Sequence, residues 1–407
     1  MGKKSTCLKC GHEIESDWKM CPNCLQIIET QKQQNQIKSM EKNNQKSKEE
    51  DNKDKIPKIK IDKKIIVGTL IGIIIIAIAL FTLTPNSGKY YSEGISFYEQ
   101  GKYDESIEKF EKVLEITPTD QNAELYLKKS FAHKYYEEGI TYNQNQKYDD
   151  AIISLGKALE YDSNYSNAKN EMAYSWINKG LLFEAQGNLL EASKCYENAF
   201  IIEPNYKEAY YYKAMILEKQ KNYPEAITYL NKVISLDSNY KDAWYEKGKI
   251  FSNQGNYTEA LSCYDKAIEL GLKDAKLFFD RGVALGNKKI YSEAIESYER
   301  AIELKSDYQE AWLNIGIAYY NQKMYDDAIK SYEKAIKIDS HYKEAYYYKG
   351  LALMEYRHDF AAALDSFDKA IGIYPYYKEA WHMKGVCLQL LGRRGESIEC
   401  FVNAGEL

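Results

Sequence analysis

The stretch Gln309-Glu-Ala-Trp-Leu-Asn-Ile-Gly-Ile-Ala-Tyr-Tyr-Asn-Gln-Lys-Met-Tyr-Asp-Asp-Ala-Ile-Lys-Ser-Tyr-Glu-Lys-Ala-Ile-Lys-Ile-Asp-Ser-His-Tyr342 decides the fold. Gly316 is followed after twelve residues by Ala328, after four more by Tyr332 and after three more by Ala335. Small, large and small side chains at the last two spacings share one helical stripe. The unit therefore predicts a helix carrying Gly316, a short turn, and a second antiparallel helix whose alanines face that glycine at close backbone separation.

The same columns run through the chain. Their first member is Gly94, Gly139, Gly180, Ala214, Gly248, Gly282, Gly316, Gly350 and Gly385, and from Gly180 to Gly350 the interval is always 34 residues. A fixed period of that length marks stacked helical repeats, because neither helix of a pair buries its stripe alone and the next pair completes the core. Gln-Gly-Asn-Tyr at 254–257 and Lys-Asn-Tyr-Pro at 221–224 supply turns within repeats, and Pro118, Pro204 and Pro375 fall between them.

These residues resemble the tetratricopeptide repeat family, whose pattern Trp312, Gly316, Tyr319, Ala328, Tyr332 and Ala335 follow, with Ser340 where proline is usual. The resemblance covers residues 87–407. It implies an all-α fold, a right-handed solenoid of about nine helix-turn-helix repeats, and a role in binding proteins or peptides. Two intervals depart from the period: Gly94 to Gly139 is 45 residues and Gly139 to Gly180 is 41. The additions, Gln121 to Phe131 and Ser166 to Met172, contain no glycine or proline. At ~3.6 residues per turn, 11 and 7 residues are about three and two whole turns. Longer first helices are therefore predicted in repeats 2 and 3, with the buried face kept in phase within roughly 20°.

The first 84 residues are different material. They carry 15 lysines and 10 acidic residues, whereas residues 85–407 carry 40 basic and 50 acidic ones, so the whole-chain charge of -5 hides two opposite parts. Residues 65–83 hold no charge and would span ~28 Å as a helix, which predicts a single transmembrane segment. Residues 44–64 contain eight lysines against Lys89 and Lys102 in 85–105, a bias that places the N-terminus in the cytoplasm and the repeats outside the cell membrane. Gly68 and Gly72 form a G-x-x-x-G, a candidate homodimer contact. Cys195, Cys263, Cys387 and Cys400 show no evident pairing. They read as small apolar packing residues.

At the N-terminus, Cys7, Cys10, Cys21 and Cys24 form two C-x-x-C pairs, a spacing suited to a tetrahedral zinc ion. Residues 1–28 hold too little apolar content to build a core without the metal, and the segment resembles the short zinc ribbons at the start of many prokaryotic membrane proteins. Residues 29–64 read as a disordered lysine-rich tether.

No phosphate loop, H-E-x-x-H or G-x-S-x-G occurs, and the five histidines are scattered, so nothing points to an enzyme or a small-molecule substrate. The family resemblance implies that the first helix of each unit lines a groove. Carried over, the partner-binding row is Tyr211, Tyr245, Phe279, Leu313, Tyr347 and His382, with Glu208, Asp242, Lys276, Glu310, Glu344 and Glu379 three residues earlier. That aromatic, mostly acidic surface suits a basic and apolar protein segment. Near the end of the chain, Ile398, Phe401 and Val402 are expected to present an apolar face, with Phe401 a candidate oligomer contact. The reading is a membrane-anchored interaction scaffold. The alternative makes the zinc ribbon a sensor or a nucleic-acid or ribosome docking module coupled across the membrane; the few lysines around the ribbon argue against nucleic acid.

Overall fold

A computed structural model describes Ser5–Thr6, Glu13–Ile14 and residues 86–406. The two short segments pair as antiparallel strands β1 (Ser5–Thr6) and β2 (Glu13–Ile14), with Ser5 opposite Ile14 and Thr6 opposite Glu13. Cys7, Cys10, Cys21 and Cys24, the tether and the 65–83 segment with Gly68 and Gly72 lie outside the described residues. Among the described residues no helix is long and apolar enough to cross a membrane, and no group of three or more His, Cys, Asp or Glu is placed to hold a metal.

Residues 87–404 form nine helix pairs: α1 (Ser87–Glu99) with α2 (Tyr103–Ile116), α3 (Gln121–Gln144) with α4 (Tyr148–Tyr161), and α5 (Ser166–Ala185) with α6 (Leu189–Ile202). Next come α7 (Lys207–Lys219) with α8 (Tyr223–Leu236), α9 (Lys241–Asn253) with α10 (Tyr257–Glu269), and α11 (Ala275–Asn287) with α12 (Tyr291–Leu304). The last are α13 (Gln309–Asn321) with α14 (Tyr325–Ile338), α15 (Lys343–Arg357) with α16 (Phe360–Ile373), and α17 (Lys378–Leu390) with α18 (Arg394–Ala404). The chain divides into two compact units, 1–172 and 173–407, with the boundary inside α5.

The glycine column meets something other than the facing alanine. A Cβ placed on Gly248 would lie 2.6 Å from the ring of Tyr264, and one on Gly180 or Gly282 would lie 2.5 Å from the rings of Tyr196 or Tyr298. The large residue of each second helix thus lies flat in the notch its own repeat's glycine leaves open. Alanine flanks it, with Ala260 and Ala267 fully buried on either side of Tyr264. Where the first helix carries Ala214 instead, the opposing residue is the smaller Leu230, also fully buried.

Turns follow local chemistry. Gly101, Gly187, Gly255 and Gly392 take the left-handed conformation between paired helices, and Gln146, Lys221, Lys289 and Lys323 adopt it at the corresponding place in other repeats. Pro118, Pro204 and Pro375 sit in the turns between repeats, as expected. Cys195, Cys263, Cys387 and Cys400 are buried, and burial pushes the Cys387 thiol up to about 11. They pack rather than react.

The two interruptions are whole-turn extensions. Helix α3 has 24 residues and α5 has 20, against 13 in α7, α9, α11, α13 and α17. The differences, 24 − 13 = 11 and 20 − 13 = 7, equal the residues added to the period. In α3 the added part buries Ala123 against Phe110 and Val113, and Ser130 bonds Ser106 at 2.9 Å; the later part brings Gly139 onto Leu155. One helix thereby serves two partners.

The extension of α5 leaves a mark. In three other repeats the aromatic residue in the first turn donates to the carbonyl six residues back, in the inter-repeat turn: Trp244 Nε1 to Ser238 at 3.1 Å, Trp381 Nε1 to Pro375 at 2.8 Å and the Tyr210 hydroxyl to Pro204 at 3.1 Å. Trp176 occupies this position in repeat 3, but six residues back stands Asn170, inside α5, where the carbonyl belongs to the helix ladder. Trp176 Nε1 is buried without a partner.

The notch makes a double-mutant prediction. Gly248→Ala should destabilise by about 1–3 kcal/mol in urea unfolding, because the added methyl overlaps the Tyr264 ring. Adding Tyr264→Leu should cost less in the Gly248→Ala background than in the wild type; additive effects would contradict the ring-in-notch account.

Candidate partner-binding face

Within the second unit the first helices of successive repeats touch one another, α9 with α11, α11 with α13, α13 with α15 and α15 with α17; the second helices make no comparable contact among themselves. The first helices therefore crowd along one side, and their outward residues form a continuous face.

The expected row is only half available on that face. Tyr211 packs its ring on Tyr240 at 5.4 Å, Phe279 on Tyr308 at 4.9 Å and Tyr347 on Tyr377 at 5.3 Å, in each case the tyrosine that immediately precedes the next repeat's first helix. Tyr245 lies against Tyr264 and donates its hydroxyl to Asp280 at 2.8 Å. Leu313 is buried in the core around Tyr332 and does not reach the surface. His382 sits beside Phe401 and pairs with Glu406 at 2.6 Å. The row is half-buried and holds neighbouring repeats together. The tyrosines before each first helix were the missed signal: Tyr206, Tyr240, Tyr308, Tyr342 and Tyr377 recur at one column of the sequence.

Over repeats 3–6 the face is a network of charges. Glu184, Glu218, Glu246 and Asp280 come from four successive first helices, with side chains between 14% and 20% exposed. Glu184 accepts from the Tyr196 hydroxyl at 2.9 Å and pairs with Lys219. Lys249 pairs with Glu246 at 2.5 Å and with Glu218 at 3.8 Å, and Lys276 reaches Asp280 at 3.3 Å. Burial holds the Glu246 carboxyl above the usual carboxylate range, with Glu218 and Asp280 adding to the push against the pull of Lys249. Lys249 is in turn held above its usual range by those three carboxylates despite its own burial. Burial and like-charge neighbours raise the carboxyl, and the three carboxylates around it raise the ammonium.

Over repeats 7–9 Tyr320 on α13 and Met354 on α15 stand in the column of Glu184 and Glu218, and Ile317, Leu351 and Val386 stand in that of Lys249, a column that is also apolar at Leu181, Met215 and Val283. Burial, Glu355 and Tyr347 raise the Tyr320 hydroxyl, and burial, Tyr348 and Glu379 raise that of Tyr347, so these residues form one neighbourhood. Beneath Tyr320 lies Tyr332, fully buried, with a hydroxyl that has no partner.

A second feature escaped the sequence reading. Lys213 pairs with Glu197 at 2.5 Å, Arg281 with Asp265 at 2.7 Å, Lys349 with Glu333 at 2.7 Å and Lys384 with Asp368 at 2.6 Å, each across 16 residues. These pairs tie a first helix to the preceding repeat's second helix. The signal was a basic residue just before the glycine column and an acidic one just after the large column. Where Ile315 replaces the base, Glu299 lacks this partner and the isoleucine is buried instead. At the end of the chain, Ile398 and Val402 are 56% and 52% exposed, while Phe401 is half-buried over Gly385.

Residues 208–240, 242–271 and 310–342 match a tetratricopeptide repeat model; 88–120 and 173–206 match two further models of that description, and 290–323 matches one described as a TPR repeat. No curated protein matches. Among solved structures, the chain is similar to YrrB, described as a TPR protein with an unusual peptide-binding site, at 26% identity over 47% of this chain and 98% of that one, with a TM-score of 0.43. MamA is similar at 26% identity over 41% and 91% (TM-score 0.40), and the C-terminal part of a TPR repeat-containing protein from Cytophaga hutchinsonii at 22% over 60% and 97% (TM-score 0.47).

The orphan hydroxyl gives a signed test. Tyr332→Phe should raise stability by about 1 kcal/mol, since a buried unpaired group costs ~1–3 kcal/mol, whereas Tyr196→Phe, which forfeits the bond to Glu184, should lower it. Equal thermal shifts in the two variants would contradict this assignment.

Proposed function

From a chain that carries tetratricopeptide repeats, we propose a non-catalytic, membrane-anchored scaffold that binds protein partners through the face of its first helices. The observation that carries the reading is that this face is continuous over seven repeats and holds carboxylates, tyrosines and aliphatic side chains, a surface that fits a segment bearing basic and apolar residues. Its anchor is the charge-free 65–83 segment, its cytoplasmic end the lysine-rich side, and the repeats lie outside the cell membrane. A zinc ion held by Cys7, Cys10, Cys21 and Cys24 completes the N-terminal module. The antiparallel pairing of β1 with β2 on either side of the first cysteine pair supports that part of the proposal.

Affinity capture with the full chain tests the scaffold. Glu208→Lys with Asp242→Lys and Glu379→Lys should abolish recovery of the partners the wild type retains, at unchanged melting temperature; retention of all of them would remove the face from consideration. Zinc is tested separately. The purified chain should carry about one zinc per molecule, lost with Cys7→Ser and Cys10→Ser together, and a metal-free wild type would exclude the ribbon.

A further inference from the structure

The charges of the first-helix face are distributed unevenly, and this bears on where a partner docks. In repeats 4–6 the face supplies its own cations: Lys219 from α7 engages Glu184, Lys249 from α9 engages Glu218 and Glu246, and Lys276 from α11 engages Asp280. A basic partner would have to displace these ammonium groups from carboxylates that are already largely buried, two of which, Glu184 and Asp280, also accept from tyrosine hydroxyls. Each displacement trades one ion pair for another and yields little net affinity.

Repeats 7–9 lack this network, although their first-turn carboxylates have proximal counterparts in Glu208 and Asp242. Their first helices contribute Glu310, Glu344, Glu355 and Glu379 to the face, the last two exposed. The lysines in the middle of α15 and α17 turn away, Lys349 to Glu333 and Lys384 to Asp368. Among the described residues only Lys343, at the start of α15, meets one of these carboxylates, Glu344 at 3.5 Å, and it lies over the Tyr374 ring as well. Between the carboxylates runs the apolar strip of Ile317, Tyr320, Leu351, Met354 and Val386, half-buried and open on one side.

We propose that the principal docking surface is this distal strip, repeats 7–9, and that its occupant is a protein segment presenting aliphatic side chains flanked by lysine or arginine. The inference rests on the scaffold reading above and narrows it to one third of the repeats and one partner chemistry. Apolar side chains cover the strip, and basic side chains meet Glu310, Glu355 and Glu379, which pair with no lysine among the described residues. Desolvating the strip supplies affinity and the carboxylates supply orientation. The self-paired network of repeats 3–6 then acts as a stiffener rather than a binding site.

Two synthetic helical peptides of equal length, one of leucine and lysine and one of leucine and glutamate, titrated against the full chain by fluorescence anisotropy, test the assignment. The lysine peptide should bind and the glutamate peptide should not; equal binding of both overturns the proposed chemistry. Glu344→Lys with Glu355→Lys and Glu379→Lys should weaken the lysine peptide by at least about tenfold. Glu208→Lys with Asp242→Lys on the proximal face should change it by less than about threefold, and so should Glu259→Lys with Glu296→Lys and Glu299→Lys on the second helices. Met354→Gln, which keeps the charge pattern, should also weaken binding at unchanged melting temperature. If the proximal variant weakens binding and the distal one does not, the location is wrong while the scaffold reading stands. If the second-helix variant matches the distal one, binding is nonspecific charge attraction and both readings fall.

Discussion

The structure depends on one steric fit, a ring or branched side chain on the second helix of every pair but the one with Ala214 lying in the space that a missing Cβ leaves on the first. Tyr196, Tyr264 and Tyr332 are fully buried there although tyrosine carries a hydroxyl that must be satisfied or suffer desolvation. Tyr196 satisfies it with Glu184; Tyr332 does not. Phe110 and Phe367 fill the same notch without a hydroxyl. The fit thus tolerates any flat or branched group of suitable volume, provided the first helix stays small. This explains why Ala214 comes with Leu230 rather than with a tyrosine.

That constraint also governs where the period can be broken. A helix insertion that rotated the glycine away from its partner would empty the notch, so only near-whole-turn additions are compatible with it. Eleven residues overshoot three turns by about 20° and seven fall short of two turns by about 20°, so both stay within the tolerance of side-chain packing. The penalty is local. By making Asn170 helical, the α5 extension removes the turn carbonyl to which Trp176 would otherwise donate.

Charge takes second place in stability but sets what each surface can do. The pairs across 16 residues are partly exposed, and such pairs contribute only ~0–1 kcal/mol each, so their weight lies in matching each first helix to the second helix before it. On the opposite side, Lys219, Lys249 and Lys276 neutralise carboxylates of the first helices, while Lys349 and Lys384 are drawn to Glu333 and Asp368. Among the described residues this division leaves Glu310, Glu355 and Glu379 without a lysine partner.

The number of helix pairs, the whole-turn extensions and the burial of the four cysteines were legible in the sequence, because each follows from spacing and composition along one chain. The row expected to bind partners was less so. Tyr211, Phe279 and Tyr347 sit on the anticipated helices, but only tertiary structure showed their rings spent on Tyr240, Tyr308 and Tyr377. Likewise, the sequence placed glycine opposite alanine, whereas the packed pair places it under the large ring. Periodicity determines which residues share a helical stripe and how often the stripe returns, since that is a property of helix geometry. Which stripe meets which, and which lysine finds which carboxylate, depends on how two helices approach in space; only the folded structure decides that.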